Sequence, residues 1–71
     1  MEANKFEKEF KQVLKEHREI GLLTISLKLR GEGVLRVSSY AIDNEGQVFL
    51  YSAESGESIG HISLKSIRGV F

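Results

Sequence analysis

Cysteine is absent from this sequence of 71 residues, which excludes disulfide bridges and thiolate metal sites. The two histidines, His17 and His61, are far apart in the sequence and have no Cys or second His at ligand spacing, so we expect no structural zinc. A chain this short buries only about 60% of the surface that its unfolded form exposes. Small folds of this kind usually need a cross-link, a metal or a partner subunit. Because disulfides and a structural zinc are not expected, oligomerisation is the remaining means of stabilisation.

Long apolar runs and net charge are also missing. No stretch approaches the ~18 apolar residues of a membrane span, and the charged segment 1–10 lacks the apolar core of a signal peptide. We therefore expect no membrane association and a cytoplasmic location. Ten basic residues balance ten acidic ones, so no overall field attracts polyanions. No linker, repeat or low-complexity segment divides the chain, and we interpret residues 1–71 as a single domain.

An apolar stripe at helical spacing marks the N-terminal segment. Phe6, Phe10, Val13 and Leu14 recur with the 3.6-residue period of a helix, and charged side chains fill most of the other faces. Asn4 suits the N-cap, and Gly21 suits the left-handed position beyond the C-terminus. The pattern predicts a helix over about residues 4–19, with its stripe packed on the remainder of the domain.

From residue 22 onward the apolar period changes to two, which indicates strands. The predicted strands span residues 22–30, 34–42, 47–53, 58–63 and 66–71. The expected core positions are Ile25, Leu27, Leu35, Val37, Val48 and Leu50. Because every connection is short, neighbouring strands should pair as an antiparallel meander. Closure removes exposed edges, so the predicted fold class is mainly β with one N-terminal helix, a five-stranded, strongly bent antiparallel small barrel over about 22–71.

Charge is segregated within the barrel segment. Every acidic residue there lies in a predicted turn, whereas every basic residue lies in or beside a predicted strand. Strands disfavour Asp and Glu, and turns accept them, which is one explanation. A basic stripe that follows a phosphate backbone is the other.

Motifs of catalysis are not found. No serine lies in a G-x-S-x-G elbow, the acidic residues occupy separate turns, and Gly31-Glu32-Gly33 lacks the pattern of a phosphate-binding loop. Tyr40, Phe49 and Tyr51 have strand spacing, which is typical of core residues and also of a base-stacking platform. We predict a protein that is not an enzyme and that has no cofactor and no metal.

The order of one helix and five bent strands resembles the Sm and Lsm family, including its Hfq-type bacterial members. Leu29-Arg30-Gly31 resembles the opening of the first Sm motif, and residues 42–50 resemble its close, with Gln47 where the family has Asn. Ile67-Arg68-Gly69 resembles the second motif. In a looser alignment, which we favour, Leu64-Lys65-Ser66 is the tight turn between strands four and five.

This resemblance implies a cyclic homo-oligomer in which the fourth strand of one subunit pairs with the fifth strand of the next, with roughly five to seven subunits in the ring. It also implies that two loops face the central pore and bind single-stranded RNA or DNA. Lys65 and Arg68 would hold phosphates, and Asn44 and Gln47 would hydrogen-bond base edges. Asp43 is expected to order its own loop.

Two other classes of function use a similar fold. One is an SH3-like or Tudor-like module that binds other proteins. The other is a structural or assembly subunit, with a viral source as one alternative, whose ring has no role with nucleic acid. Measured nucleic-acid affinity would separate the Sm-like hypothesis from both.

Overall fold

The computed structural model describes residues 1–31, 33–52 and 54–71, so the predicted turn residue Glu32 and the predicted strand end Ala53 lie outside the described residues. In these described ranges one N-terminal helix is followed by six strands, and the fold is mainly β as predicted. The elements are α1 (Ala3–Glu19), β1 (Ile25–Leu29), β2 (Val34–Val37), β3 (Ser39–Ile42), β4 (Gln47–Tyr51), β5 (Ser58–Ser63), a 3-10 turn (Leu64–Ser66) and β6 (Ile67–Val70).

The helix agrees with its predicted bounds except at its cap. Helix α1 begins one residue early, and Glu2 occupies the N-cap position without a side-chain hydrogen bond, so the assignment of Asn4 as N-cap is wrong. Gly21 adopts the expected left-handed φ of 80°. The N–H of Leu22 donates to the carbonyl oxygen of His17 at 2.8 Å, which satisfies a carbonyl at the helix end. No helix among the described residues is long and apolar enough to cross a membrane.

The prediction of five strands is wrong because the chain breaks at Ser38, inside the second predicted strand. The N–H of Ser38 donates to the carbonyl oxygen of Tyr51 at 3.0 Å, and its hydroxyl donates to that of Ser52 at 3.0 Å. Val37 before it pairs with β1, whereas Ser39 after it pairs with β4. The apolar alternation continues across the break, so periodicity alone shows one strand.

The prediction of a closed barrel is also wrong. The strands form two three-stranded antiparallel sheets, a first sheet with the order β2-β1-β6 and a second sheet with the order β3-β4-β5. The meander therefore ends at β5, because the 3-10 turn redirects the chain and β6 pairs with β1. Among the described residues β5 and β6 do not pair with each other, and each leaves one edge open.

A single core connects the helix with both sheets. Tyr40 meets the rings of Phe6 and Phe10 edge-on, at centroid distances of 4.9 and 4.6 Å. The buried residues are Phe6, Phe10, Ile25, Leu27, Val37, Val48, Leu50, Leu64 and Ile67. Of the predicted core positions, only Val13, Leu14 and Leu35 are partly buried instead. The helix thus closes the core over the inner faces of the sheets, and the outer faces stay open.

Candidate nucleic-acid interface

The hairpin loop between β3 and β4 is ordered by Asp43. Its Oδ1 accepts hydrogen bonds from the backbone N–H groups of Glu45 at 2.8 Å and Gln47 at 2.9 Å, which confirms the role predicted for Asp43. Gly46 closes the loop with a φ of 81°, a conformation that glycine adopts at little cost. Asn44 is exposed in this loop, and Gln47 at the start of β4 is half-buried.

The 3-10 turn between β5 and β6 is the tight turn expected around Lys65. The Oγ of Ser63 accepts a hydrogen bond from the N–H of Lys65 at 3.2 Å, and the side chain of Leu64 is buried in the core. The α-amino group of Met1 donates to the carbonyl oxygen of Leu64 at 3.0 Å, which connects the start of α1 to this turn. Lys65 is left exposed to solvent.

These two turns are hydrogen-bonded to each other. The N–H of Leu64 donates to the carbonyl oxygen of Gly46 at 3.1 Å, and Gln47 is paired with Ser63 in the β4–β5 ladder. The structure therefore brings three of the predicted site residues to one end of the second sheet. We call this end, which carries Asn44, Gln47 and Lys65, the turn site.

Arg68, the fourth predicted residue, belongs to the other sheet. The register between β1 and β6 shifts from Lys28 opposite Gly69 to Leu29 opposite Ile67. Arg68 is the extra residue of this β-bulge, and its side chain is exposed. It therefore extends from the first sheet and is not part of the turn site.

Four of the five basic residues that follow residue 21 lie in or beside the first sheet, where they form one part of the basic stripe considered above. Lys28 and Arg36 lie on the strands of that sheet, Arg30 directly follows β1, and all are exposed, like Arg68. The alternation of apolar and polar residues along β1 indicates that Lys28 is exposed, but only the register between strands places Arg36 and Arg68 beside it. Their positions in or beside strands follow from the sequence, whereas their position on one sheet follows from strand pairing.

The three aromatic residues of the strands do not form one platform. Tyr40 lies against Phe6 and Phe10, where burial, and then the negative charge of Glu7, raise the pKa of its hydroxyl above the ordinary 10.0. Phe49 and Tyr51 alternate with the buried Val48 and Leu50 and so lie on the outer face of the second sheet. A base-stacking platform of all three is therefore excluded.

His61, on the same outer face, packs beside Phe49 with ring centroids 5.5 Å apart. His17 lies elsewhere, with its Nδ1 2.6 Å from the carbonyl oxygen of Thr24. Within residues 1–31, 33–52 and 54–71 no group of three or more His, Cys, Asp or Glu side chains is placed to hold a metal ion. The chemistry that the turn site offers is hydrogen bonding by amides and attraction of anions by an ammonium group.

No family model, curated protein sequence or solved structure matches this chain. Its function is therefore inferred from the turn site and the open strand edges.

Proposed function

We propose that this chain is a non-catalytic, Sm-like protein that assembles into a ring and binds single-stranded RNA or DNA. The observation that carries the proposal is the hydrogen bond of 3.1 Å between Leu64 and Gly46, which holds two turns together. The amides of Asn44 and Gln47 can hydrogen-bond base edges, and the ammonium group of Lys65 can hold a phosphate. Both kinds of contact are used by proteins that bind single-stranded nucleic acid.

The open edges support assembly. Strands β5 and β6 each pair on one side only among the described residues, and on β5 the side chain of Ile59 is 48% exposed. Unpaired strand edges readily pair with another chain. If β5 of one subunit pairs with β6 of the next, repetition of this contact closes a ring, for which we propose roughly five to seven subunits.

A ring would repeat both attractive and repulsive charges. Lys65 would contribute one positive charge per subunit near the pore, whereas Asp43 and Glu45 in the neighbouring loop would repel phosphates. We therefore expect weak, salt-dependent binding in place of tight recognition of one sequence.

Fluorescence anisotropy with labelled oligo-U, oligo-A and oligo-dT at low salt tests nucleic-acid binding. The unmodified protein should bind at or below about 100 μM, with an affinity that falls as salt rises. Lys65→Ala should weaken binding, whereas Lys8→Ala, which removes an exposed lysine of α1, should leave it unchanged. Equal effects of the two substitutions would contradict a role for the turn site.

Sedimentation velocity tests the ring independently of any ligand. We expect a closed oligomer at micromolar concentration and a shift towards monomer for Ile59→Lys, because a charge on β5 opposes edge pairing. The control is Ile20→Lys, since Ile20 is 71% exposed at the end of α1 and should leave the assembly intact. A monomer for the unmodified protein would refute the ring.

A second candidate function, a module that binds other proteins, is supported by the outer face of the second sheet. Strands β3, β4 and β5 contain no Lys, Arg, Asp or Glu, and Ala41, Phe49 and His61 lie side by side across them. An uncharged aromatic surface is typical of protein contacts. Absence of oligonucleotide binding together with a monomeric state would favour this function.

A further inference from the structure

We infer that the outer face of the first sheet is a second binding surface, which holds the phosphate backbone of a single-stranded nucleic acid as it leaves the turn site. We call this surface the basic face and define it by Lys28, Arg30, Arg36 and Arg68. The inference rests on the proposed function, because the ligand is the same, and adds a contact surface outside the loops.

The register of the strands places these side chains together. Ile25 and Leu27 are buried, so Ser26 and Lys28 point outwards from β1. Arg36 is opposite Ser26, which makes Arg36 and Lys28 diagonal neighbours, about 7–8 Å apart at their backbones. Gly69 lies opposite Lys28 on the other side, next to the bulged Arg68. The basic face therefore crosses all three strands of the sheet.

Strand propensity alone does not account for this distribution of charge. Strands of both sheets lack Asp and Glu, as strands generally do, but β3, β4 and β5 also lack Lys and Arg. All basic residues within strands belong to β1, β2 and β6. A chain with zero net charge thus concentrates cations on one of its two sheets, which is the arrangement that a polyanion requires.

The basic face is continuous with the turn site. The N–H of Arg30 donates to the carbonyl oxygen of Ser66 at 2.8 Å, and Ser66 directly follows Lys65. The backbone at Arg30 is therefore adjacent to the turn that carries Lys65, and a nucleic-acid strand held by Lys65 can continue towards Arg30. Guanidinium groups bind phosphate oxygens in pairs of hydrogen bonds, and three of the four cations are arginines.

An aromatic side chain lies at the far end of the same face. Phe71 exchanges backbone hydrogen bonds with Ser26 at 2.7 and 2.9 Å, so its ring shares the outer side, where it is 52% exposed. Unpaired bases stack on aromatic rings. Cations beside an exposed ring favour a single strand over a compact anion or an acidic protein.

Gly69 offers a position at which a negative charge can be added to the basic face. A Cβ atom at this position would meet nothing within 4 Å, and its φ lies outside the left-handed region. Gly69→Glu adds a negative charge to the middle of the basic face, and Gly69→Gln adds the same shape without charge. Both variants should fold, and thermal unfolding checks this. Arg36→Gln is a second charge-altering variant that needs no change of backbone.

The measurement is anisotropy with labelled oligo-dT of about six and about eighteen nucleotides, since a single site of this size covers about 4–16. Gly69→Glu should weaken binding of the longer oligonucleotide at least about fivefold and flatten its salt dependence. Gly69→Gln should stay within about twofold of the unmodified protein, and Arg36→Gln should weaken the longer oligonucleotide more than the shorter one.

The outcomes distinguish a failure of the basic face from a failure of the turn site or of the proposed function. If the unmodified protein binds but Gly69→Glu equals Gly69→Gln, the basic face is refuted and the proposed function stands. If Gly69→Glu weakens binding while Lys65→Ala does not, the basic face is supported and the turn site is refuted. No binding of either oligonucleotide at about 100 μM refutes both. Displacement of the oligonucleotide by polyglutamate at equal charge concentration would refute nucleic acid as the specific ligand of the basic face.

Discussion

Replacement of Phe10 by Ala is the most direct test of the helix as part of the core. The side chain of Phe10 is 3% exposed, and its ring lies 5.7 Å from that of Phe6 and 4.6 Å from that of Tyr40. A buried Phe→Ala substitution costs about 3–5 kcal/mol, and each aromatic pair contributes about 0.5–1.5 kcal/mol beyond burial. We therefore expect a loss in the upper half of that range.

Such a loss is large for a domain of this size. Typical stabilities of about 0.05–0.15 kcal/mol per residue correspond to about 4–11 kcal/mol for 71 residues. Phe10→Ala should thus leave a marginal or unfolded domain. Urea denaturation followed by circular dichroism measures the change, at one protein concentration because association adds concentration-dependent stability.

Phe71→Ala is the matched control, since it makes the same chemical change at a ring that is 52% exposed. Half-burial of a Phe side chain contributes only about 1 kcal/mol. The backbone hydrogen bonds between Phe71 and Ser26 need no side chain and should remain. If Phe10→Ala lost no more stability than Phe71→Ala, the packing of α1 described above would be wrong.

Three further predictions concern the hairpin loop and the core tyrosine. Asp43→Ala should lower the free energy of unfolding by about 1–2 kcal/mol, because two backbone N–H groups lose their acceptor. Asp43→Asn keeps an acceptor oxygen and should recover most of this loss. Equal losses of stability in the two variants would contradict the role of Oδ1. Gly46→Ala should cost about 1–2 kcal/mol in thermal unfolding through its left-handed φ, whereas Gly69→Ala should cost nothing. The raised pKa of Tyr40 leaves the free energy of unfolding unaffected well below pH 10.0, because the hydroxyl is protonated in both the folded and the unfolded chain. Above pH 10.0 the unfolded chain loses the hydroxyl proton of Tyr40 before the folded chain does. The free energy of unfolding therefore falls as pH rises through the folded-state pKa. Urea titrations from about pH 8 to about pH 11 should show a smaller fall of the free energy of unfolding in Tyr40→Phe than in the unmodified protein. Parallel pH curves for the two proteins would refute the contribution of Tyr40.

Local rules were sufficient for most elements. The stripe of Phe6 and Phe10 predicted the helix because a period of 3.6 residues arises within one turn of chain. Asp43 and Gly46 predicted the hairpin loop because an Asp oxygen can reach backbone N–H groups a few residues away. The N-cap failed at Asn4, since helix α1 already begins at Ala3 and the choice between neighbouring capping residues depends on small energies.

The candidate site was predicted only in part. The sequence named Asn44, Gln47 and Lys65 but contained no signal that their two turns are hydrogen-bonded, since Gly46 and Leu64 meet through backbone atoms. Resemblance grouped Arg68 with them, whereas strand pairing moved it to the first sheet. Which residues share a surface depends on the register between strands, and no single strand encodes that register.

The sequence by itself determined where the helix, the turns and most strands lie, because those depend on neighbours a few residues apart. Tertiary structure alone decided that the chain breaks at Ser38, that β6 pairs with β1, and that the basic residues share one face. Each of these depends on hydrogen bonds between distant segments, such as those from Ser38 to Tyr51 and Ser52. Side-chain periodicity records which face of a strand is buried, but not the backbone partner that the strand will find.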